Sequence, residues 1–358
     1  MILPMTDTTE APVPPTKVVL GGFLMGLANL VPGVSGGTMI LAMGLYDRFI
    51  QTIAAVTRLK LSKSVLLFCG LLALGLVVAV LGLSGPAVWL VTEHRWIAYS
   101  LFVGMTLGGV PALMGQVRAG GVGAIAGAVF GFAAMVGLAF FLAETPLQHT
   151  KPVFVGAGAA AAASMILPGV SGSYLLLIFG LYDVVIGSLR PSELLENTSE
   201  SLAIVIPVIL GAGLGIAVIA NVLKLVLKRY PGPSHGVLLG LLLGSVVGLW
   251  PFQEAVHPAL ASSDSLNAIA ALNDGTPVAD ILAESPELEW DAARAEELGR
   301  EYAGLSKGDL KLLKLKTEYF RPAPMQIVLS ILILAAGVAV TLLLGRNPKD
   351  APGAASAS

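Results

Sequence analysis

Two short runs in this 358-residue chain carry the residue types that hold an anion without a formal cation. The first is Asn29-Leu30-Val31-Pro32-Gly33-Val34-Ser35-Gly36-Gly37-Thr38; the second is Leu167-Pro168-Gly169-Val170-Ser171-Gly172-Ser173-Tyr174. Proline removes a backbone donor and glycine favours non-helical backbone, so each run predicts a break between two half-helices. Amides of Gly33–Thr38 and Gly169–Tyr174 then lie at a half-helix N-terminus, where free donors and the dipole favour negative charge. Ser35, Thr38, Ser171 and Ser173 add hydroxyl donors, and no Lys or Arg lies deep in the apolar segments. The plainer reading is that Pro-Gly-x-Ser-Gly lets two half-helices pack closely, as small residues do in membranes.

A second motif follows each run: Gly-Leu-Tyr-Asp, at Gly44–Asp47 and Gly180–Asp183. Asp47 and Asp183 are candidate proton or cation carriers, or gates; alternatively they cap helix ends, with Tyr46 and Tyr182 as interfacial anchors. The Gly-x-Ser-Gly form also suits an intramembrane serine protease, but a serine nucleophile needs a base within hydrogen-bond reach. The four histidines (His94, His149, His235, His257) fall in loops or at span ends, so no catalytic residue is assigned. Cys69 is the one cysteine and lies in an apolar run, so no metal site or cofactor is expected.

The elements that must position these residues belong to a membrane protein. Hydrophobic residues make up 55% and charged residues 12%, about half the charge of a soluble domain. A net charge of −2 gives no basic face for nucleic acid. Six stretches are long enough to span a bilayer: Ser64–Leu83, Trp96–Met114, Val122–Leu142, Leu202–Leu227, Gly236–Trp250 (short) and Gln326–Leu344. Residues 1–16 and 346–358 are expected to be flexible tails, the first without the pattern of a signal sequence. Residues 253–325 form an insert with thirteen acidic and seven basic residues, and its Glu284–Tyr319 part suggests amphipathic helix.

The two broken stretches, Val18–Ile50 and Pro152–Leu189, are copies. Asn29–Ile50 and Met165–Ile186 share eleven identities in twenty-two positions at an offset of 136. Non-helical backbone at membrane depth survives only where protein or a polar cavity satisfies it. If each stretch is a re-entrant hairpin, eleven basic residues of the short loops and tails fall on the cytoplasmic side and three (Arg95, Lys151, Arg190) outside. Each half is then one hairpin plus three spans. Three is odd, so the expected fold is an all-α polytopic membrane protein with an inverted-topology repeat, residues 17–150 and 151–345, the plan of a transporter. The insert falls outside, and Glu93, His94 and Arg95, beside Trp96, are either a solvated loop or a group that attracts a lipid headgroup.

These motifs resemble the bacterial polyprenyl-phosphate transporters, the PopT-type undecaprenyl-phosphate flippases. The resemblance spans roughly Lys17–Trp250 and the final span, and does not extend to the insert. It implies return of undecaprenyl phosphate from the outer to the inner leaflet of the cytoplasmic membrane, for reuse in envelope polysaccharide synthesis. Because the membrane potential opposes inward movement of an anion, coupling to protons or sodium ions, or to consumption of the lipid inside, is expected. The headgroup set is Asn29, Pro32, Gly33, Ser35, Gly36, Gly37, Thr38, Pro168, Gly169, Ser171, Gly172, Ser173 and Tyr174. Ser173-Tyr174 stand where Gly37-Thr38 stand in the first copy, so the tips are expected to bind unequally. A small-anion channel or carrier is the alternative, ahead of a protease or a scaffold.

Overall fold

Five helices in the second half of the chain begin 136 residues after their counterparts in the first, to within one residue, in the computed structural model. It describes residues 13–31, 33–140, 147–189, 197–260, 262–288 and 290–345. Helix α1 (Pro15–Asn29) corresponds to α8 (Lys151–Ile166), α2 (Gly36–Ala42) to α9 (Gly172–Ile178), and α3 (Tyr46–Thr57) to α10 (Tyr182–Gly187). Helix α4 (Lys63–Glu93) corresponds to α11 (Thr198–Arg229), and α5 (Arg95–Gly108) to α12 (Pro231–Gly248). Helices α6 (Val110–Ala119) and α7 (Gly121–Phe140) complete the first half, and α17 (Pro324–Gly345) the second.

Packing repeats with the same period. A Cβ on Gly22 of α1 would stand 2.0 Å from the Leu72 carbonyl of α4, and one on Gly75 would stand 1.9 Å from the Val19 carbonyl. The corresponding positions 136 residues on, Gly158 and Gly211, meet the Val208 and Val155 carbonyls at 2.2 and 2.0 Å. Only glycine allows such backbone approach, which is the way apolar helices gain close van der Waals contact in lipid. The later spans cross between halves. Gly240 of α12 meets Ala128 of α7, while its counterpart Gly104 of α5 meets Leu334 of α17. Ala128 and Leu334 are 206 residues apart, so α17 is the counterpart of α7 behind about 70 additional residues.

Six helices are long and apolar enough to cross a membrane: Lys63–Ala87, Arg95–Ala119, Gly121–Leu138, Thr198–Arg229, Pro231–Gly248 and Pro324–Gly345. The chain is an all-α polytopic membrane protein. The fifth span, short in the sequence reading, gains length because the helix starts at Pro231, a residue suited to a first helical turn. Large apolar side chains such as Leu67, Leu81, Ile209, Leu225 and Leu343 are exposed along the spans, as a lipid-facing surface requires.

A second compact unit comprises Trp89–Tyr99 and Trp250–Ser330. Strands β1 (Gln253–Ala255) and β2 (Thr317–Tyr319) pair antiparallel, Gln253 opposite Tyr319, and bring the ends of the insert together. Between them lie α13 (Ser263–Asn273), α14 (Val278–Glu284), α15 (Ala292–Glu301) and α16 (Lys307–Leu315). Leu260, Leu266, Ile269, Leu298, Tyr302 and Leu310 form their core. Glu284–Tyr319 is therefore not one amphipathic helix. Gly304, at φ +76°, ends the α15 segment, and Ser306 and Asp309 form a capping box that starts α16. Asn273 fixes this turn by donating to the Tyr302 and Leu305 carbonyls.

Candidate functional site: two interlocked backbone breaks

Each Pro-Gly-Val-Ser-Gly run interrupts helix as its composition predicts. After Asn29 the chain turns through Gly33, at φ +83°, and resumes helix at Gly36; after Ile166 it turns through Gly169, at φ +86°, and resumes at Gly172. Leu167 is extended, as a residue before proline prefers. The chain then doubles back. A Cβ on Gly36 would lie 2.7 Å from Met25 Cγ, whereas one on Gly21, four residues nearer the start of α1, would lie 2.6 Å from Leu45 Cδ1. In the second half the Leu147 amide, before α8, donates to the Phe179 carbonyl, after α9. Both breaks are thus tips of antiparallel hairpins.

The returning arms α2 and α9 are only seven residues each. Gly-Leu-Tyr-Asp explains why. Gly44 and Gly180 take the left-handed conformation, and the next amides, Leu45 and Leu181, donate back to Ile40 and Leu176. This is a Schellman helix stop, with the following leucine buried. Tyr-Asp then opens the next helix. Asp47 is exposed in the first turn of α3, where a carboxylate favours the helix dipole. Asp183 holds the same backbone position in α10; its side chain, like Pro32, lies outside the described residues.

The tips satisfy one another's backbone. Ser35 Oγ donates to the Leu167 carbonyl at 3.1 Å, and the Gly169 amide donates to Thr38 Oγ1 at 2.8 Å. Tyr46 donates its phenolic hydrogen to the Ile166 carbonyl at 3.1 Å. These carbonyls are the ones that breaking α8 leaves without an intrahelical partner. Ser35, Thr38 and Tyr46 are 4%, 1% and 6% exposed, so water is not the partner that these groups have here. Gly37 closes the contact, since a Cβ there would lie within 3.3 Å of the Met165, Ile166 and Leu167 carbonyls.

First-half side chains bond second-half backbone, whereas Ser171 and Ser173 share a 3.0 Å bond with each other. Gly172 and Pro168 are buried, Ser173 and Tyr174 half-buried, and Asn29 exposed beside Gly36. The tyrosine of the first motif is not the surface anchor that its type suggested; it is buried and ties the hairpins together. Its repetition within Gly-Leu-Tyr-Asp was the available signal, masked by the interfacial habit of tyrosine. No group of three or more metal-ligating side chains occurs among the described residues.

Residues 25–266, which contain both tips, match the sequence profile of the undecaprenyl phosphate translocase-like family. The chain belongs to this family. A polyprenyl-phosphate transporter from Vibrio cholerae is 30% identical over 263 residues, covering 68% of this chain and 80% of that protein. A polyprenyl-phosphate transporter from Staphylococcus aureus is 28% identical over 244 residues, covering 65% of this chain and 85% of that protein. No solved structure matches.

Proposed function

We propose that this chain is a flippase that returns undecaprenyl phosphate, or a related polyprenyl phosphate, from the outer to the inner leaflet of the bacterial cytoplasmic membrane. The observation that carries the reading is family membership across both tips, with relatives named for polyprenyl-phosphate transport. The hairpins enter the bilayer from opposite faces and meet at the headgroup site. The phosphate takes hydrogen bonds from the hydroxyls of Ser35, Thr38, Ser171 and Ser173 and from amides within Gly33–Thr38 and Gly169–Tyr174. Asn29, Gly36, Gly37, Gly172 and Tyr174 shape the cleft, and Pro32 and Pro168 keep the breaks open.

The interlock gives the binding step its chemistry. Ser35 releases the Leu167 carbonyl to donate to phosphate, and the Gly169 amide exchanges Thr38 for a phosphate oxygen. Bonds to a charged acceptor contribute about 1.5–3 kcal/mol, against about 0.5–1.5 kcal/mol for the neutral bonds they replace. A dianionic headgroup therefore opens the interlock, and the neutral pairs re-form when it leaves. Alternate release of the hairpins on the two faces completes transport.

A protease is disfavoured because each histidine is engaged elsewhere. His94 packs on Trp89, His149 on Phe154, His235 Nδ1 meets the Pro231 carbonyl and His257 Nδ1 meets the Tyr302 hydroxyl. Proteoliposomes separate the transport readings: leaflet exchange of labelled lipid phosphate without chloride or phosphate flux supports the flippase. Ion flux without lipid exchange supports the small-anion channel instead.

A further inference from the structure

Arg95 opens helix α5 in the unit that also contains Trp89–Tyr99, and nothing in the tip site uses it. Its guanidinium lies 4.9 Å from the centre of the Tyr99 ring, and Nη2 donates to the Tyr99 hydroxyl at 3.2 Å. Nε is sealed from solvent and has no hydrogen-bond partner. No carboxylate among the described residues pairs with it; Glu93, two residues away, is exposed. A guanidinium has five N–H donors in a fixed fork and stays charged at any physiological pH. A half-buried guanidinium with a sealed, unpartnered Nε, one neutral acceptor and one aromatic face keeps donors available for an anion.

The surroundings narrow the anion's class. Trp89 packs edge-on against His94, with ring centres 5.2 Å apart, and Trp96 follows Arg95 at the start of a membrane-crossing helix. Tryptophan and tyrosine gather where hydrocarbon meets headgroups. A planar fork matches a phosphate monoester through two parallel charge-assisted bonds, which a point-charge lysine does not reproduce.

We propose that Arg95 is a second phosphate-monoester site, at the bilayer boundary, which captures a lipid headgroup. Turning the fork off the Tyr99 ring aims Nε and Nη2 at two phosphate oxygens, so the unmade bond at Nε is made only when an anion is present. The identity of the headgroup rests on the flippase reading; the existence of the anion site does not.

The test reads Arg95 itself. Full-length protein carrying ε-¹⁵N-arginine in nanodiscs gives an Arg95 Nε–H resonance, assigned by its loss in Arg95→Lys. A short-chain polyprenyl phosphate is expected to shift that resonance, and the neutral polyprenol of the same length is not. If inorganic phosphate at equal concentration shifts it as far, the site stands and its ligand is free phosphate. No shift with either phosphate overturns the proposal. In proteoliposomes, Arg95→Gln is expected to raise the half-saturating lipid fraction at least about tenfold with the maximal rate kept, and Arg95→Lys to recover only part of that loss. An unchanged half-saturation overturns the capture role. Absence of lipid transport by the wild type removes the flippase reading and leaves the resonance shift as the measure of this site.

Discussion

Thr38 and Ser171 hold sequence positions of similar promise but differ in what their loss leaves behind. Thr38→Val strands the Gly169 amide, a buried donor, and such an unsatisfied group costs about 1–3 kcal/mol. Ser171→Ala removes a hydroxyl whose partner, Ser173 Oγ, can rotate. Thermal unfolding in detergent without ligand is therefore expected to show Thr38→Val clearly below wild type and Ser171→Ala near it; equal loss in both contradicts this reading of the Thr38–Gly169 bond. The two tip glycines differ in the same way. An alanine at either meets the left-handed backbone penalty of about 1–2 kcal/mol. At Gly169 its Cβ would also sit 2.5 Å from the Leu241 carbonyl, while at Gly33 it meets only Leu249 Cδ2 at 3.3 Å. Gly169→Ala is expected to abolish stable protein and Gly33→Ala to lower its melting temperature modestly, measured by size-exclusion yield and thermal scans. Proline and glycine announced the breaks in the sequence, but which side chain satisfies which carbonyl depends on contacts 120 or more residues apart, and the role of Tyr46 was masked for that reason.

At the scale of elements, the duplication was legible because an offset of 136 survives in identities, helix starts and glycine contacts alike. Return-arm length was not legible. Composition alone lets Gly36–Ile50 run on as one helix, and only the Schellman stop at Gly44 divides it. The insert was legible as polar in composition, but its helices are short and depend on a shared core rather than on strong individual periodicity. Tyr302, 2% exposed in that core, ionises far from its ordinary range: burial first, then Glu301, pushes its pKa up to about 12. An unfolded tyrosine ionises near 10, so the unfolded state sheds its proton first as pH rises. The Tyr302 contribution is complete below pH 10 and falls as pH rises through 12. Hydrogen exchange on the full chain, corrected for its intrinsic pH dependence, is expected to show loss of protection in 263–315 over that window; Tyr302→Phe should remove the window. Equal behaviour of the two proteins contradicts burial as its cause.

The whole molecule carries the topology and the driving force. An inverted repeat of two hairpins and six spans, as proposed, predicts Lys60 and Arg229 in the cytoplasm and Glu144, Glu196 and the insert outside; Glu144 and Glu196, like the tails 1–12 and 346–358, lie outside the described residues. Single cysteines in a Cys69→Ser background test this with an impermeant thiol reagent on intact cells. Glu287→Cys and Glu196→Cys are expected to label and Lys60→Cys is not; the reverse pattern breaks the inverted repeat. Inward movement of a headgroup anion toward a negative interior is opposed by about 2.3 kcal/mol per charge per 100 mV. For a dianion this is about 4.6 kcal/mol, more than a thousandfold in equilibrium ratio, so uptake is expected to be coupled to inward protons or sodium ions, or to consumption of the lipid inside. Asp47 and Asp183, the paired carboxylates at the hairpin ends, are the nominated carriers. An imposed gradient that leaves uptake unchanged removes ion coupling, while coupling retained in Asp47→Asn and Asp183→Asn removes only these residues.

The central claim is that the two interlocked tips form one phosphate site, and the most direct measurement is leaflet exchange of labelled polyprenyl phosphate in proteoliposomes containing Ser35→Ala/Ser171→Ala. Each lost hydroxyl removes a bond to a charged acceptor worth about 1.5–3 kcal/mol, or roughly ten- to a hundredfold in binding. The double variant is expected to insert normally and to exchange lipid at least about a hundredfold more slowly at subsaturating lipid. Exchange at the wild-type rate by a correctly inserted double variant contradicts the claim.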